Sequence, residues 1–229
     1  MAVTINGSTG ITTSGITDTT GTDALNNATV AGTLAVTGAT TLTGAATMSS
    51  TLAVTGAITG SSTIAASAGT LYPLISGTAQ ASTSGTTVDF TGIPSWAKRI
   101  IVTLNGVSLS GSSDILIQLG TSGGFVNTGY NSVSARISGA GAANTTATNG
   151  FNVTGGMAAA ANLVYGAITI ANHTGNTWVE SGVLSATGTA YVLPSGGSIA
   201  LAAALTQVRI TTANGTDTFD AGSINIQYE

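Results

Sequence analysis

From residue 31 to residue 67 every odd position is Ala, Thr or Ser, without exception. The larger apolar residues stand at even positions: Val30, Leu34, Val36, Leu42, Met48, Leu52, Val54, Ile58 and Ile64. Gly32, Gly38, Gly44, Gly56 and Gly60 share that even register. Side chains along a strand alternate between two faces, whereas a helix would mix the two sets. The segment is therefore expected to be β, with one apolar face and one face of small, mostly polar side chains.

A second period lies on top of the first. Val30, Val36, Leu42, Met48 and Val54 recur every six residues, and Thr33-Leu34-Ala35-Val36-Thr37-Gly38 returns as Thr51-Leu52-Ala53-Val54-Thr55-Gly56, eighteen residues later. Such repeats mark solenoids and fibres. Two architectures fit: a single-chain β-helix with eighteen residues per coil, and three chains wrapped on a common axis. The segment holds only about two coils, and a solenoid needs about three repeats to bury a core. One narrow apolar face cannot cover itself, so an intertwined trimeric β shaft over residues 30–70 is the preferred expectation. Ordering a backbone residue costs roughly 1–2 kcal/mol, so folding of this segment is expected to require its neighbours.

Composition narrows the function classes. Only 5% of residues are charged, against about 25% in soluble domains. Four Lys+Arg against eight Asp+Glu cannot form the basic patch that nucleic acid requires, so no nucleic-acid partner is expected. The longest clean apolar run, Ile199 to Leu205, is seven residues, far short of the ~20 needed to span a bilayer, so no membrane insertion is expected either. With no cysteine there is neither a disulfide framework nor thiol chemistry. The start, Met1-Ala2-Val3-Thr4-Ile5-Asn6-Gly7, lacks the basic and apolar regions of a signal peptide, and synthesis and assembly in a cytoplasm are expected.

Residues 1–29 are polar and Gly/Thr-rich, either a flexible tail or a segment that docks on another protein. Residues 71–229 suit one compact domain. Strands are expected at Thr86–Phe90, Arg99–Asn105, Asp114–Leu119, Val164–Ala171, Thr177–Ser185, Ser198–Leu205, Gln207–Thr212 and Ser223–Tyr228. Turn clusters separate them at Ser110-Gly111-Ser112-Ser113, Ser122-Gly123-Gly124, Ser195-Gly196-Gly197 and Asn214-Gly215. Many short strands with Gly-rich turns predict an all-β sandwich or barrel, of which the sandwich is the preferred expectation. Ile224, Ile226 and Tyr228 should share one face, and the doubly apolar Ile115-Leu116-Ile117 should be central. Met157 to Ala161 has helix-forming composition, but Gly155-Gly156 before it and a β-like run after it argue against a helix.

The C-terminal unit, from about residue 83 to 229, resembles a domain of tail-fibre and related virion proteins of tailed bacteriophages and prophages. The resemblance is carried by Asp89-Phe90-Thr91-Gly92-Ile93-Pro94-Ser95-Trp96-Ala97-Lys98-Arg99-Ile100, Leu104-Asn105-Gly106-Val107-Ser108, Ile117-Gln118-Leu119-Gly120 and Trp178-Val179-Glu180-Ser181-Gly182, together with Asn214 to Asn225. The repeat is similar, in composition, to the shafts of such fibres. The resemblance implies a homotrimeric fibre on a virus particle, with a jelly-roll-like head, docked to other virion proteins through the N-terminal segment and able to attach to a host-surface glycan or receptor. It implies no catalytic residue and no cofactor.

The residues themselves hold several candidates for chemistry. Asp217 and Asp220 near Asn214 invite a calcium reading, but the alternating Asp/Asn loop with a closing Glu is absent, and a turn capped by its own side chains explains Asn214-Gly215 as well. His173, the single histidine, lies in a polar stretch expected to be a loop, and no nucleophile-elbow pattern flanks any Ser. Asp89, Asp114, Glu180, Asp217, Asp220 and Glu229 are the carboxylates from which a glycan-hydrolysing pair would be drawn. Lys98-Arg99 beside Trp96 are placed to hold an anion or to sit at a strand edge, and Trp178, Tyr130 and Tyr165 to stack on sugars or to fill the core or a subunit interface. A hexapeptide acyltransferase would require a longer repeat and a histidine base, and an ice-binding face would require an unbroken Thr lattice. The expectation is a structural subunit with no catalytic, cofactor or metal site; a glycan-cleaving fibre tip and a bacterial surface adhesin are the alternatives.

Overall fold

The computed structural model describes residues 64–66, 69–156 and 160–229. The expected anchor, 1–29, almost all of the expected shaft and residues 157–159 of the Ala-rich stretch lie outside them; Ala160 and Ala161 form a turn.

Sixteen strands follow one another: β1 Ile64–Ala66, β2 Gly69–Leu71, β3 Ile75–Ser76, β4 Gln80–Ala81, β5 Thr87–Thr91, β6 Arg99–Leu109, β7 Ile115–Thr121, β8 Gly124–Phe125, β9 Asn131–Ser138, β10 Gly141–Ala147, β11 Phe151–Asn152, β12 Leu163–Thr174, β13 Thr177–Thr187, β14 Tyr191–Ala200, β15 Gln207–Thr212 and β16 Phe219–Tyr228. The described residues contain no helix, and every strand pair is antiparallel. β1 and β2 form a ladder of their own.

The remaining strands form two sheets. The larger has nine strands in the order β10-β9-β14-β13-β12-β6-β16-β3, with β4 also on β16. The smaller has five in the order β11-β7-β15-β5, with β8 on β7. One hydrophobic core joins them: Ile100, Val102, Ile168, Leu184 and Ile224 from the larger sheet belong to the same cluster as Phe90, Ile117, Leu119, Val208 and Ile210 from the smaller. The all-β expectation holds on this ground.

The strands form where alternation is clean. Gln207–Thr212 has the bounds that were expected. Along β16, Ile224 and Ile226 are buried and the intervening Asn225 is not. All seven residues of β7 are buried: Ile115, Ile117 and Leu119 face the core, and the chain at Asn149-Gly150 lies against Leu116 and Gln118 on the other side.

Two strand and turn expectations need correction. Ser195-Gly196-Gly197 is not a turn but lies inside β14. A Cβ at position 197 would stand 2.6 Å from the Asn131 carbonyl oxygen and 2.9 Å from Phe151 Cδ1, so close packing, not chain reversal, demands this glycine. The strand expected at Ser198–Leu205 is the end of β14, which stops at Ala200; Leu201 and Leu205 are buried loop residues. The hairpin of β9 and β10 was not anticipated at all.

Candidate functional site

The strand β9 carries its polarity the wrong way round for a sheet whose outer face meets water, and β13 and β14 add exposed valines on the same side. On β9, Ser132 and Ser134 point into the core, only 3% and 1% exposed, while Val133 and Ile137 point outward, 52% and 46% exposed. On β13, Glu180 is buried and Val179 and Val183 are exposed. On β14, Leu193 is buried and Val192 is exposed.

The pairing register gathers these outward residues. Ile137 lies opposite Val192. Val183 lies opposite Pro194 on one side and Ala167 on the other, and Val133 lies opposite Gly196. The five strands β10, β9, β14, β13 and β12 contain just two charged residues, Arg136 and Glu180. Both share the inward face: Arg136 donates to the Gly156 carbonyl at 2.7 Å and lies over the Tyr191 ring. The outer face of these strands, built mainly of Val, Ile, Ala, Ser and Thr with Leu163, Tyr165, His173, Asn131, Asn144 and Pro194 on the same parity, therefore carries no carboxylate, lysine or arginine. Monomeric proteins rarely present such a surface unless something covers it.

The inward face beneath it is polar in the middle. Glu180 Oε1 accepts a hydrogen bond from Ser195 Oγ at 2.6 Å, while Glu180 Oε2 and Ser134 Oγ are buried without a partner. Burial pushes the Glu180 carboxyl up to about 7, against a smaller lowering by the Ser195 hydroxyl.

The other carboxylates serve as ties within the head. Asp114 accepts from Asn152 Nδ2 at 2.8 Å, from Thr154 Oγ1 at 3.1 Å and from the Gly156 amide at 2.7 Å. Asp217 accepts from the Ser113 amide at 2.9 Å and Asp220 accepts from the Ser108 hydroxyl. Asn214 Oδ1 caps the amides of Thr216 and Asp217, both at 3.0 Å, which is the capped turn weighed against calcium. Among the described residues no three His, Asp or Glu side chains gather as metal ligands.

Arg99 is paired with Glu229, and Trp96 is stacked on Tyr72 with ring centroids 4.4 Å apart and tilted against Tyr228. Trp178 and Tyr130 are buried in the core; Tyr130 meets the Phe151 ring edge-on and its hydroxyl accepts from the Leu119 amide. Tyr165 is half-buried on β12, on the outward parity. His173 is not in a loop: it is an exposed residue near the end of β12, at a register shift. An open cleft of about 420 Å³ lies between β5 and β16, lined by Gln80, Asp89, Phe90, Ile226 and Tyr228 among others.

No protein-family model, curated protein or solved structure matches the chain.

Proposed function

We propose that this chain is a structural subunit that works as an assembly of identical copies, a homotrimeric fibre protein of a phage particle. The reading is carried by the apolar outer side of the nine-stranded sheet: Val133, Ile137, Val179, Val183 and Val192 face outward, and on β9 the inward residues are Ser132 and Ser134.

A second copy is the partner that fits this face best. In a symmetric assembly a patch near the axis meets its own copy, where a charge would meet a like charge at close range. The outer face of β9, β10, β12, β13 and β14 carries no such charge. Five strands about 4.8 Å apart and about eight residues long offer roughly 600 Å², of the order of the ~800 Å² each partner gives to a standard interface.

The number three and the fibre rest on the repeat of residues 30–67 and on the resemblance. The N-terminal segment is proposed to dock on other virion proteins, the repeat to form the shaft, and the jelly-roll-like head to present loop tips in triplicate to a host-surface glycan or receptor, where weak sites gain from effective concentration.

Electron microscopy of the purified full chain tests this. Threefold particles with a thin shaft and a broader head are expected. Single heads of one chain each would contradict the reading.

A further inference from the structure

Glu180 occupies a position that a charged carboxylate cannot hold cheaply. It stands in the middle of β13, on the face shared by Trp178, Leu184 and Ala186, and is 3% exposed. Two glycines neighbour it on that face. Gly197 is its direct partner on β14, and Gly182 follows two residues later on the same face. Phe151, from the other sheet, packs against Gly197.

The lateral neighbours bring no cation to Glu180. Its partner on β12 is Ile170, and the one on β14 is Gly197. Arg136 on β9 is committed to the Gly156 carbonyl and the Tyr191 ring. Tyr130 donates to the Val126 carbonyl, and Asp114 takes its hydrogen bonds from Asn152, Thr154 and Gly156. What Glu180 does meet is one hydroxyl. Ser195 holds Oε1, and Ser134 lies directly opposite Ser195 on β9, buried, with its Oγ unpartnered like Glu180 Oε2. A buried ionised carboxylate with one neutral donor is costly, whereas a neutral carboxyl escapes most of that desolvation cost.

We propose that Glu180 is a proton-holding site in the core of the head: it is carried as the neutral acid, and removing its proton weakens the β13-β14-β9 part of the nine-stranded sheet. The inference rests on the packing of the head and is independent of whether copies associate. It makes the same strands that carry the uncharged outer face sensitive to alkalinity.

The direction of the effect follows from linkage. Burial raises the Glu180 carboxyl from an ordinary 4.5 to about 7, so the folded chain binds this proton more tightly than the unfolded chain. The stability it contributes is complete below pH 4.5, is lost as pH rises toward 7, and stays lost above it.

The chain has just two glutamates, Glu180 and the C-terminal Glu229, so carboxyl NMR of protein labelled with ¹³C at glutamate Cδ reads Glu180 against one internal reference. A Glu180 midpoint near pH 7 is expected; a midpoint near 4.5 would overturn the proposal. Thermal unfolding of the full chain against pH gives the second readout. The wild type should lose melting temperature between pH 4.5 and 7 and level off above. Glu180→Gln, which keeps the shape and cannot ionise, should lose that slope and melt above the wild type at pH 8. A wild-type curve flat through the window, or a Glu180→Gln slope equal to the wild type, would refute it. If Glu180→Gln does not fold, the wild-type NMR midpoint alone decides.

Discussion

Arg209 on β15 holds Asp89 on the neighbouring edge strand β5 by two parallel hydrogen bonds, Nε to Oδ1 at 2.8 Å and Nη2 to Oδ2 at 2.7 Å. The guanidinium also lies 4.1 Å from the centre of the Phe125 ring, so one side chain fastens β5, β15 and β8 together. The pair is about one-third exposed, 30% and 34%, and is screened accordingly. Arg209→Ala should cost about 1 kcal/mol, toward the upper end of the range for exposed pairs because of the bidentate geometry. A double-mutant cycle with Asp89→Ala, read by urea unfolding, measures the coupling. Additive losses would show that the pair contributes nothing.

Gly197 gives the sharpest packing prediction. Gly197→Ala puts a methyl group 2.6 Å from the Asn131 carbonyl oxygen and 2.9 Å from Phe151. One of these contacts is backbone and cannot swing away, so a loss of about 1–3 kcal/mol is expected from overpacking. Gly196→Ala, one residue earlier on the outward side, meets nothing closer than the Glu180 carbonyl oxygen at 3.8 Å, and should be nearly neutral for folding. Thermal unfolding of the two variants side by side checks the contrast.

Val183, 59% exposed on the uncharged face, separates folding from association. Val183→Lys should leave the melting temperature of the head within a degree or two, because the residue is not part of the core. It should weaken association at least tenfold, since each copy would bring a charge into a covered apolar patch. Sedimentation velocity across a dilution series reads this. Unchanged association would place the contact between copies elsewhere.

Association through this face should also be insensitive to salt. Screening weakens interactions between exposed charges, and the five strands offer none on that side. Raising sodium chloride from about 0.05 M to about 0.5 M should therefore leave the dissociation constant nearly unchanged. A fall of tenfold or more in affinity would mean that charges elsewhere carry the contact.

The strands with polar-out alternation were legible in the sequence. β15 and the end of β16 are half-buried in the ordinary sense, apolar side inward, and β7 is apolar on both sides because both of its faces are covered. β9 and β10 were not legible. In β9 the inward residues are Ser132 and Ser134 and the outward ones Val133 and Ile137, so the pattern points away from the core that the strand helps to build. β10 is Gly-Ala-Ala-Asn-Thr-Thr-Ala and offers no alternation. The Gly pair in β14 imitates a turn, because a glycine required by a neighbour's side chain looks the same in sequence as one required by a positive φ.

Glu180 was visible to sequence reasoning only as one member of a pool of carboxylates. A sharper signal was present: Trp178, Glu180, Leu184 and Ala186 share one parity on a strand, which places the carboxyl on the buried face. The missing charge of the outer surface was visible in the 5% charged composition, but which face it belongs to depends on pairing between strands distant in sequence, β9 with β14 and β12 with β6. No local pattern encodes that.

The most direct test of the central claim is the native mass of the full chain at micromolar concentration. Copies that cover one another's uncharged sheet should appear at the mass of three 22.1 kDa chains and persist on dilution. A single species at 22.1 kDa would contradict the account.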